Sequence, residues 1–121
     1  MDILIVDDDP AILEILDIYL SDKYTVRTFN SSTLAFEEYQ NNTAYLAVIT
    51  DFFMPLISGD EFIKKILKIN PKQKIIICSG TPSTELDSFI KEYSNAVYHI
   101  PKPFDLKEFD VVIESIVKTI G

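Results

Sequence analysis

Five side chains that could do chemistry follow short apolar segments of this 121-residue sequence. They are Asp7, Asp8, Asp51, Ser79 and Lys102. If the apolar segments are parallel strands, these residues meet at one edge of a sheet, because ligands bind in the crevice outside the carboxyl ends of such strands. Converging carboxylates form a hard oxygen site that suits Mg²⁺. One of them would then be a plausible nucleophile towards a phosphoryl group, with the lysine and the hydroxyl taking up the remaining charge.

Each of these residues also has a purely structural explanation. Asp51 could begin a turn, as could Ser79. Asp7 and Asp8 could be acids favoured by the dipole at a helix start, and Lys102 could be a solvated surface charge. Chance placement of all five after four different segments is improbable, so the pattern favours one shared site.

The elements that must position these residues follow from hydrophobic periodicity. Short, β-branched or alternating segments predict five strands, at residues 3–6, 24–28, 46–49, 74–78 and 96–100. Between them, apolar residues recur at helical spacing. Asp9, Ser31 or Ser32, and Asp105 are predicted to cap the first, second and fifth helices. We expect the apolar residues of the helices to lie in the core, including Leu34, Ala35 and Tyr39 of the second helix. These residues of the fifth helix are expected to pack on the sheet: Leu106, Phe109, Ile113, Ile116, Val117 and Ile120.

The alternation of strands and helices defines the expected fold class. It predicts an α/β fold with a parallel sheet, right-handed crossovers and helices on both faces. Residues 1–121 are enough for one domain and too few for two. We expect them to form a single domain with no output domain among them, either as a stand-alone module or as part of a longer protein.

Composition excludes several classes of function. A formal charge of -8 and a pI near 4.5 argue against direct nucleic-acid binding by this domain. We expect no membrane insertion and no secretion, because the sequence lacks a long apolar segment and a basic region at its start. The single cysteine, Cys78, lies in an apolar segment and is expected to be a small buried side chain. A single cysteine of this kind is consistent with a cytoplasmic, reducing location.

Three motifs make the chain resemble the receiver domains of two-component response regulators over essentially its whole length. They are residues 3–10, residues 51–55 with Gly59, and the segment Pro101-Lys102-Pro103-Phe104. The resemblance implies a flavodoxin-like, doubly wound (βα)5 fold with a five-stranded sheet in the order 2-1-3-4-5. It also implies a cis peptide bond between Lys102 and Pro103, as is usual in the family.

The resemblance also implies roles for the site residues. Asp51 would accept a phosphoryl group from a sensor histidine kinase or a histidine phosphotransfer protein. Asp8, Asp51 and the backbone carbonyl of Phe53 would bind Mg²⁺, with Asp7 acting mainly through water. Lys102 would pair with the phosphoryl oxygens, and Ser79 would hydrogen-bond to one of them after activation.

The same resemblance implies what the modification does. Phosphorylation would reshape the surface of the fourth helix, fifth strand and fifth helix, which a downstream target or a second copy in a homodimer would bind. Such a domain is not an enzyme in the ordinary sense. It is a signalling phosphoacceptor that catalyses its own phosphorylation and dephosphorylation.

Two positions depart from the commonest family pattern. His99 stands three residues before the lysine, at a switch position that is often tyrosine or phenylalanine, and Tyr98 should point to the opposite face of the strand. His99 could titrate near neutrality, but a half-exposed packing residue is the favoured interpretation. Phe53 stands where many relatives carry a polar side chain. Its bulk should hinder the hydrolytic water and prolong the phosphorylated state.

Other functions remain as alternatives. A haloacid-dehalogenase-like phosphohydrolase would use Asp7 as nucleophile and Asp9 as acid/base, but Ala11 stands where that motif prefers threonine or valine, and no later acidic pair completes its metal site. Flavodoxin-like FMN binding is disfavoured because acids after the first strand would repel the FMN phosphate. A degenerate receiver that only binds partners is disfavoured because every expected chemical group is present.

Overall fold

A computed structural model describes residues 1–55, 57–80 and 83–120, with the side chain of Ile120 outside the described part. Its strands are β1 (Asp2–Val6), β2 (Thr25–Phe29), β3 (Tyr45–Thr50), β4 (Ile75–Ser79) and β5 (Val97–Pro101). Its helices are α1 (Pro10–Leu20), α2 (Ser32–Asn41), α3 (Gly59–Ile69), α4 (Thr84–Glu92) and α5 (Leu106–Ile120). The predicted alternation of strands and helices is confirmed, although β2, β4 and β5 each lie one residue further along the chain than predicted.

The five strands form one parallel sheet in the order β2-β1-β3-β4-β5. This confirms the predicted α/β class and the flavodoxin-like strand order. In the register of β1 and β3, Val6 lies opposite Thr50. The residues that follow these two strands therefore emerge side by side at the carboxyl edge of the sheet.

Each face of the sheet has its own hydrophobic core. One face packs against α2, α3 and α4 through fully buried side chains such as Tyr39 and Phe62. The other packs against α1 and α5 through Leu16, Phe109 and Ile113. Helices on both faces bury the apolar central strands completely, as parallel sheets require. None of the helices in the described part of the chain is long and apolar enough to span a bilayer.

The predicted helix caps of α1 and α5 are confirmed. Asp9 accepts a hydrogen bond from the N–H of Ala11 at 2.9 Å. Asp105 accepts one from the N–H of Lys107 at 3.0 Å, while the Glu108 carboxylate accepts one from the N–H of Asp105 at 2.9 Å. This reciprocal capping box satisfies donors that a helix leaves free at its start, and each cap contributes roughly 1 kcal/mol.

One predicted core residue of α2 is on the surface. Ala35 and Tyr39 are fully buried, whereas Leu34 is 47% exposed. Residues four apart share a helix face, but Leu34 lies five positions before Tyr39, about 140° around the helix. It therefore cannot reach the core that Tyr39 enters.

Candidate functional site

The carboxyl edge of the sheet brings the five sequence-predicted site residues together. Asp7 follows β1, Asp51 follows β3, Ser79 is the last residue of β4, and Lys102 follows β5. Backbone hydrogen bonds between neighbouring strands continue beyond the ends of the strands. The N–H of Asp51 donates to the carbonyl of Val6 at 3.2 Å, and the N–H of Lys102 donates to the carbonyl of Ser79 at 2.9 Å. The site is therefore held by the same bonds that build the sheet.

Three carboxylates converge at this edge. Asp7, Asp8 and Asp51 each offer one oxygen, and these oxygens lie within 4.8 Å of one another. Asp7 is buried, Asp51 is half-buried and Asp8 is exposed, so the cluster opens to solvent on one side. Because all the ligand atoms are oxygens, the cluster fits a hard cation such as Mg²⁺, which keeps several waters and takes one or two carboxylates directly.

Lys102 contacts two of the three acids. Its Nζ lies 3.0 Å from Asp7 Oδ2 and 3.3 Å from Asp51 Oδ2. Burial lowers the pKa of Lys102, but the two carboxylates more than offset that effect, so its pKa is raised overall. Lys102 therefore stays protonated and neutralises part of the acidic cluster. Sequence analysis placed this lysine at the site but did not predict its pairing with Asp7.

Asp7 is the most enclosed of the three acids. Its side chain is 3% exposed, against 13% for Asp51. Its Oδ1 accepts a hydrogen bond from the N–H of Asp9 at 2.9 Å, and its Oδ2 contacts Lys102. Burial raises the pKa of Asp7 by more than the Asp9 N–H and Lys102 lower it. A second cation at the site would relieve this unfavourable burial of charge.

The loop after Asp51 is tied back to the Asp51 side chain. The N–H of Phe53 donates to Asp51 Oδ1 at 3.2 Å, which turns the chain and places Phe53 beside the carboxylate. The Phe53 ring is 41% exposed and meets the Phe52 ring edge to face, with their centroids 5.1 Å apart. The residue whose N–H contacts the Asp51 carboxylate therefore carries an apolar side chain.

Gly59 allows the start of α3 to approach this loop. Its N–H donates to the carbonyl of Phe52 at 2.9 Å. A Cβ built on Gly59 would lie 2.4 Å from the Cα of Phe52 and 2.5 Å from the carbonyl oxygen of Asp51. Both contacts are with backbone, so any other residue would displace the Asp51 loop. Gly59 was part of the sequence motif, but the reason for a glycine there emerges only from this close approach.

Ser79 and its neighbour Gly80 line the Lys102 side of the site. Ser79 is 3% exposed, and its Oγ has no hydrogen-bond partner among the residues that the structure describes. A Cβ on Gly80 would lie 3.2 Å from the Cβ of Lys102. The peptide bond between Lys102 and Pro103 is cis, as the family resemblance implied.

His99 is exposed and lines a pocket together with Leu86 and Lys102, so its packing role stays a prediction. β5 is an edge strand of the sheet, so a side chain on its α4 face has a neighbouring strand on one side only. Tyr98 points to the opposite face, as predicted, and packs against the core under α1 and α5.

Comparison with known proteins identifies the class. Residues 3–114 match the family model of the response regulator receiver domain. The chain is 34% identical over 113 residues to the DNA-binding transcriptional regulator NtrC of Azospirillum brasilense, which covers 93% of this chain and 23% of that protein. The chain thus spans about a quarter of the length of this relative.

Solved structures agree with the assignment. A response regulator receiver domain protein from Clostridium thermocellum superposes with a TM-score of 0.86 at 29% identity, covering 98% of this chain and 94% of that one. A CheY-like receiver domain protein from Methanospirillum hungatei gives a TM-score of 0.87 at 26% identity, covering 97% and 94%. This chain belongs to the receiver domain family of two-component response regulators, whose members are signalling phosphoacceptors rather than conventional enzymes.

Proposed function

We propose that residues 1–121 form a phosphorylation-controlled switch in which Asp51 is the phosphoacceptor. The observation that carries the proposal is the position of Lys102 Nζ, within 3.3 Å of Asp51 and 3.0 Å of Asp7. Asp51 is the more accessible of these two carboxylates, with 13% of its side chain exposed against 3% for Asp7. Access favours Asp51 as nucleophile over Asp7, which the phosphohydrolase alternative would require.

The proposed donor is the phosphohistidine of a sensor histidine kinase or a histidine phosphotransfer protein. An Asp51 oxygen attacks the phosphorus, and the P–N bond breaks as the new O–P bond forms. The imidazole leaves with the electron pair and takes a proton from solvent. Water later attacks the acyl phosphate, which releases inorganic phosphate and regenerates the Asp51 carboxylate.

Asp8, Asp51 and the backbone carbonyl of Phe53 would hold Mg²⁺ directly, and Asp7 would contact it through water. The bound ion would supply positive charge that offsets repulsion among the acids and the incoming phosphoryl oxygens. The exposure of the three acids supports this division, because Asp7 is the most enclosed of them, whereas Asp51 is half-buried and Asp8 is exposed. Lys102 would exchange part of its contact with the carboxylates for the phosphoryl oxygens.

Ser79 would change its hydrogen bonding when Asp51 is phosphorylated. Its Oγ is buried and has no partner in the described part of the chain, so a phosphoryl oxygen on Asp51 would provide a hydrogen bond for this hydroxyl. Movement of Ser79 at the end of β4 would then shift the positions of α4, β5 and α5. That surface would bind a downstream target or a second copy in a homodimer.

Incubation with a small phosphodonor and Mg²⁺, followed by intact-mass measurement, tests the proposal. The wild type should gain one labile phosphoryl group, and chelation of Mg²⁺ should prevent the gain. Asp51→Asn should abolish it, whereas Asp7→Asn should slow it. Asp17→Asn, at a half-buried acid of α1 that accepts a hydrogen bond from Ser21, should leave it unchanged. Modification that persists in Asp51→Asn and disappears in Asp7→Asn would instead support the phosphohydrolase. The absence of any modification would support a degenerate receiver.

A further inference from the structure

The basic residues of this acidic chain are unevenly distributed. Residues 64–74 hold five of its eleven lysines and arginines and no acid. This segment therefore carries a charge of +5 and the other residues carry -13, which together give the net charge of -8. The segment comprises the second half of α3 and the loop that leads to β4. One small part of the molecule is thus positively charged on an otherwise negative protein.

The structure presents these lysines on the outside of α3 and the loop after it. Lys64 and Lys68 are one helical turn apart on α3, about 6 Å along its axis, and Lys65 lies between them in sequence. All three are exposed, as is Lys72 in the loop, whereas the opposite side of α3 carries its buried residues. The term basic surface is used below for this set, which consists of Lys64, Lys65, Lys68, Lys72 and the half-buried Lys74.

The charges of the basic surface are not neutralised by acids of the same chain. No ion pair joins any of its lysines to an acid in the part of the chain that the structure describes. Lys65 Nζ lies over the Phe36 ring of α2, 5.3 Å from its centroid, and Lys74 Nζ donates to the carbonyl of Asn95 at 2.8 Å. The helix dipole accounts for Lys68 in the last turn of α3. The other positive charges are available to an external partner.

Apolar surface adjoins these charges. Ile69, at the end of α3, is 42% exposed. Two residues further on, Pro71 begins the wall of a pocket of about 350 Å³ that Lys72 and Lys74 also line. Lys74 and Ala96 both line this pocket and immediately precede β4 and β5, so it lies at the amino edge of the sheet, opposite the acidic site. The basic surface therefore leads from α3 to a cavity that can receive a side chain.

The surrounding charge limits what can bind there. Exposed charges interact over about 8–10 Å at physiological ionic strength. A nucleic-acid duplex or an anionic membrane extends far beyond the basic surface, so it would also face the surrounding acids, which give the other residues their charge of -13. A short acidic segment of a protein would meet the lysines alone. Apolar side chains within such a segment would fit Ile69 and the pocket.

We propose that the basic surface is a docking site for a short acidic segment of a partner protein. The segment lies along the outside of α3, with its acids on the lysines and its apolar side chains on Ile69 and in the pocket. The start of α3 at Gly59 meets the Asp51 loop, whereas the basic surface is at the other end of this helix. Docking therefore does not depend on phosphorylation of Asp51, and it keeps the partner at a high local concentration in both states of the proposed switch.

The probe for this site is a labelled synthetic peptide of about ten residues, long enough when extended to span the basic surface, with glutamates around a central leucine. A peptide with glutamine at each glutamate position is its control. Fluorescence anisotropy of the whole chain with peptide gives the Kd, and NMR spectra locate the peptide. We expect a Kd below about 1 mM for the glutamate peptide, weakened roughly threefold or more between about 0.05 M and about 0.3 M salt. Shift changes should centre on residues 64–74, and the glutamine peptide should not bind.

Two charge-matched double variants separate a docking site from general attraction. Lys64→Gln combined with Lys68→Gln should weaken binding of the glutamate peptide roughly fivefold or more, because two direct ion pairs are lost. Lys23→Gln combined with Lys107→Gln removes the same charge from exposed positions outside the basic surface and should change the Kd by less than about twofold. Phosphorylation by a small donor should be unchanged in both, because none of these lysines is at the acidic site.

The outcomes decide between the acidic segment and other occupants. Failure of the glutamate peptide to bind, or equal weakening in the two double variants, would overturn the proposal. Tighter binding of a DNA duplex or of phosphatidylserine vesicles through Lys64 and Lys68 would replace the protein segment with another class of partner. Self-association of the chain that the α3 double variant abolishes would make a second copy the occupant. Each of these results leaves the phosphoacceptor function standing, because that function is measured by the mass gained at Asp51.

Discussion

Lys102 Nζ lies 3.0 Å from Asp7 Oδ2, across 95 residues of sequence. The contact joins the segment after β5 to the end of β1, which are separated by two strands in the sheet. Because Asp7 is almost fully buried, its negative charge depends on this cation for compensation. The pair is therefore expected to contribute to folding as well as to phosphoryl binding.

Removal of the cation should destabilise the fold. In Lys102→Met, the carboxylates of Asp7 and Asp51 repel each other without compensation, and we expect the free energy of unfolding to fall by about 1–3 kcal/mol in the presence of a chelator. Added Mg²⁺ should restore part of the loss. Urea unfolding with chelator and with Mg²⁺ measures both effects.

Lys64→Met, at an exposed position of α3, is the control and should change stability by less than about 0.5 kcal/mol. Equal stability of the two variants in chelator would contradict the role given to Lys102.

A side chain at position 59 should disrupt the Asp51 loop. In Gly59→Ala, the new methyl group meets backbone atoms at 2.4 and 2.5 Å, so the Asp51 loop or the start of α3 must move. We expect a loss of about 2 kcal/mol or more in unfolding free energy and a large loss of phosphorylation by a small donor. Gly80→Ala is the matched control, because its methyl group would meet the Cβ of Lys102 at 3.2 Å and no backbone atom of the described residues closer than 3.9 Å. If both glycine variants behave alike, the close approach at Gly59 does not shape the site.

Phe53 should slow loss of the phosphoryl group. The Phe53 N–H contacts the Asp51 carboxylate and the side chain is 41% exposed, so we expect the ring to hinder the approach of the hydrolytic water. Phe53→Asn should accelerate dephosphorylation by roughly tenfold, which corresponds to about 1.4 kcal/mol in the barrier. The measurement follows decay of the modified protein by intact mass after removal of the donor. Phe53→Leu keeps an apolar side chain and should stay close to wild type; equal decay in all three proteins would show that the ring does not control the water.

Sequence periodicity was sufficient to place the strands and helices along the chain because each signal acts locally. The β-branched run that became β3 is fully buried, and Asp9 caps α1 through a neighbour two residues away. Placing the acids after β1 and β3 required only the general rule that parallel strands share a carboxyl edge. The family motifs then supplied the strand order, which local periodicity does not contain.

The unpredicted features depend on contacts between distant segments. The Asp7 contact with Lys102 requires knowledge of which oxygen faces which loop, and the exposure of His99 follows from the position of β5 at the sheet edge. Likewise, hydrophobicity alone could not show that Leu34 remains on the surface of α2. Such details depend on how each element is rotated and covered, which composition and spacing do not specify.

Cys78 provides a further test of the buried sheet. The side chain is 1% exposed and packs in the core beneath α1 and α5. Burial raises the pKa of the Cys78 thiol to about 12 from an ordinary value of 9.0. The folded protein therefore keeps the proton at a pH where the unfolded chain releases it, and this ionisation favours unfolding as the pH rises above 9.

Between pH 8 and pH 10, the Cys78 thiol should therefore reduce the free energy of unfolding by about 1.4 kcal/mol. Other groups also titrate in this range, so the quantity to measure is the difference between wild type and Cys78→Ala in urea unfolding at the two pH values. The alanine variant loses packing at both, which gives a constant offset, and only the wild type carries the thiol ionisation. The offset should shrink by about 1.4 kcal/mol at the higher pH. An offset that does not change with pH would mean that the thiol ionises as readily in the folded protein as in the unfolded chain, contrary to its position in the core.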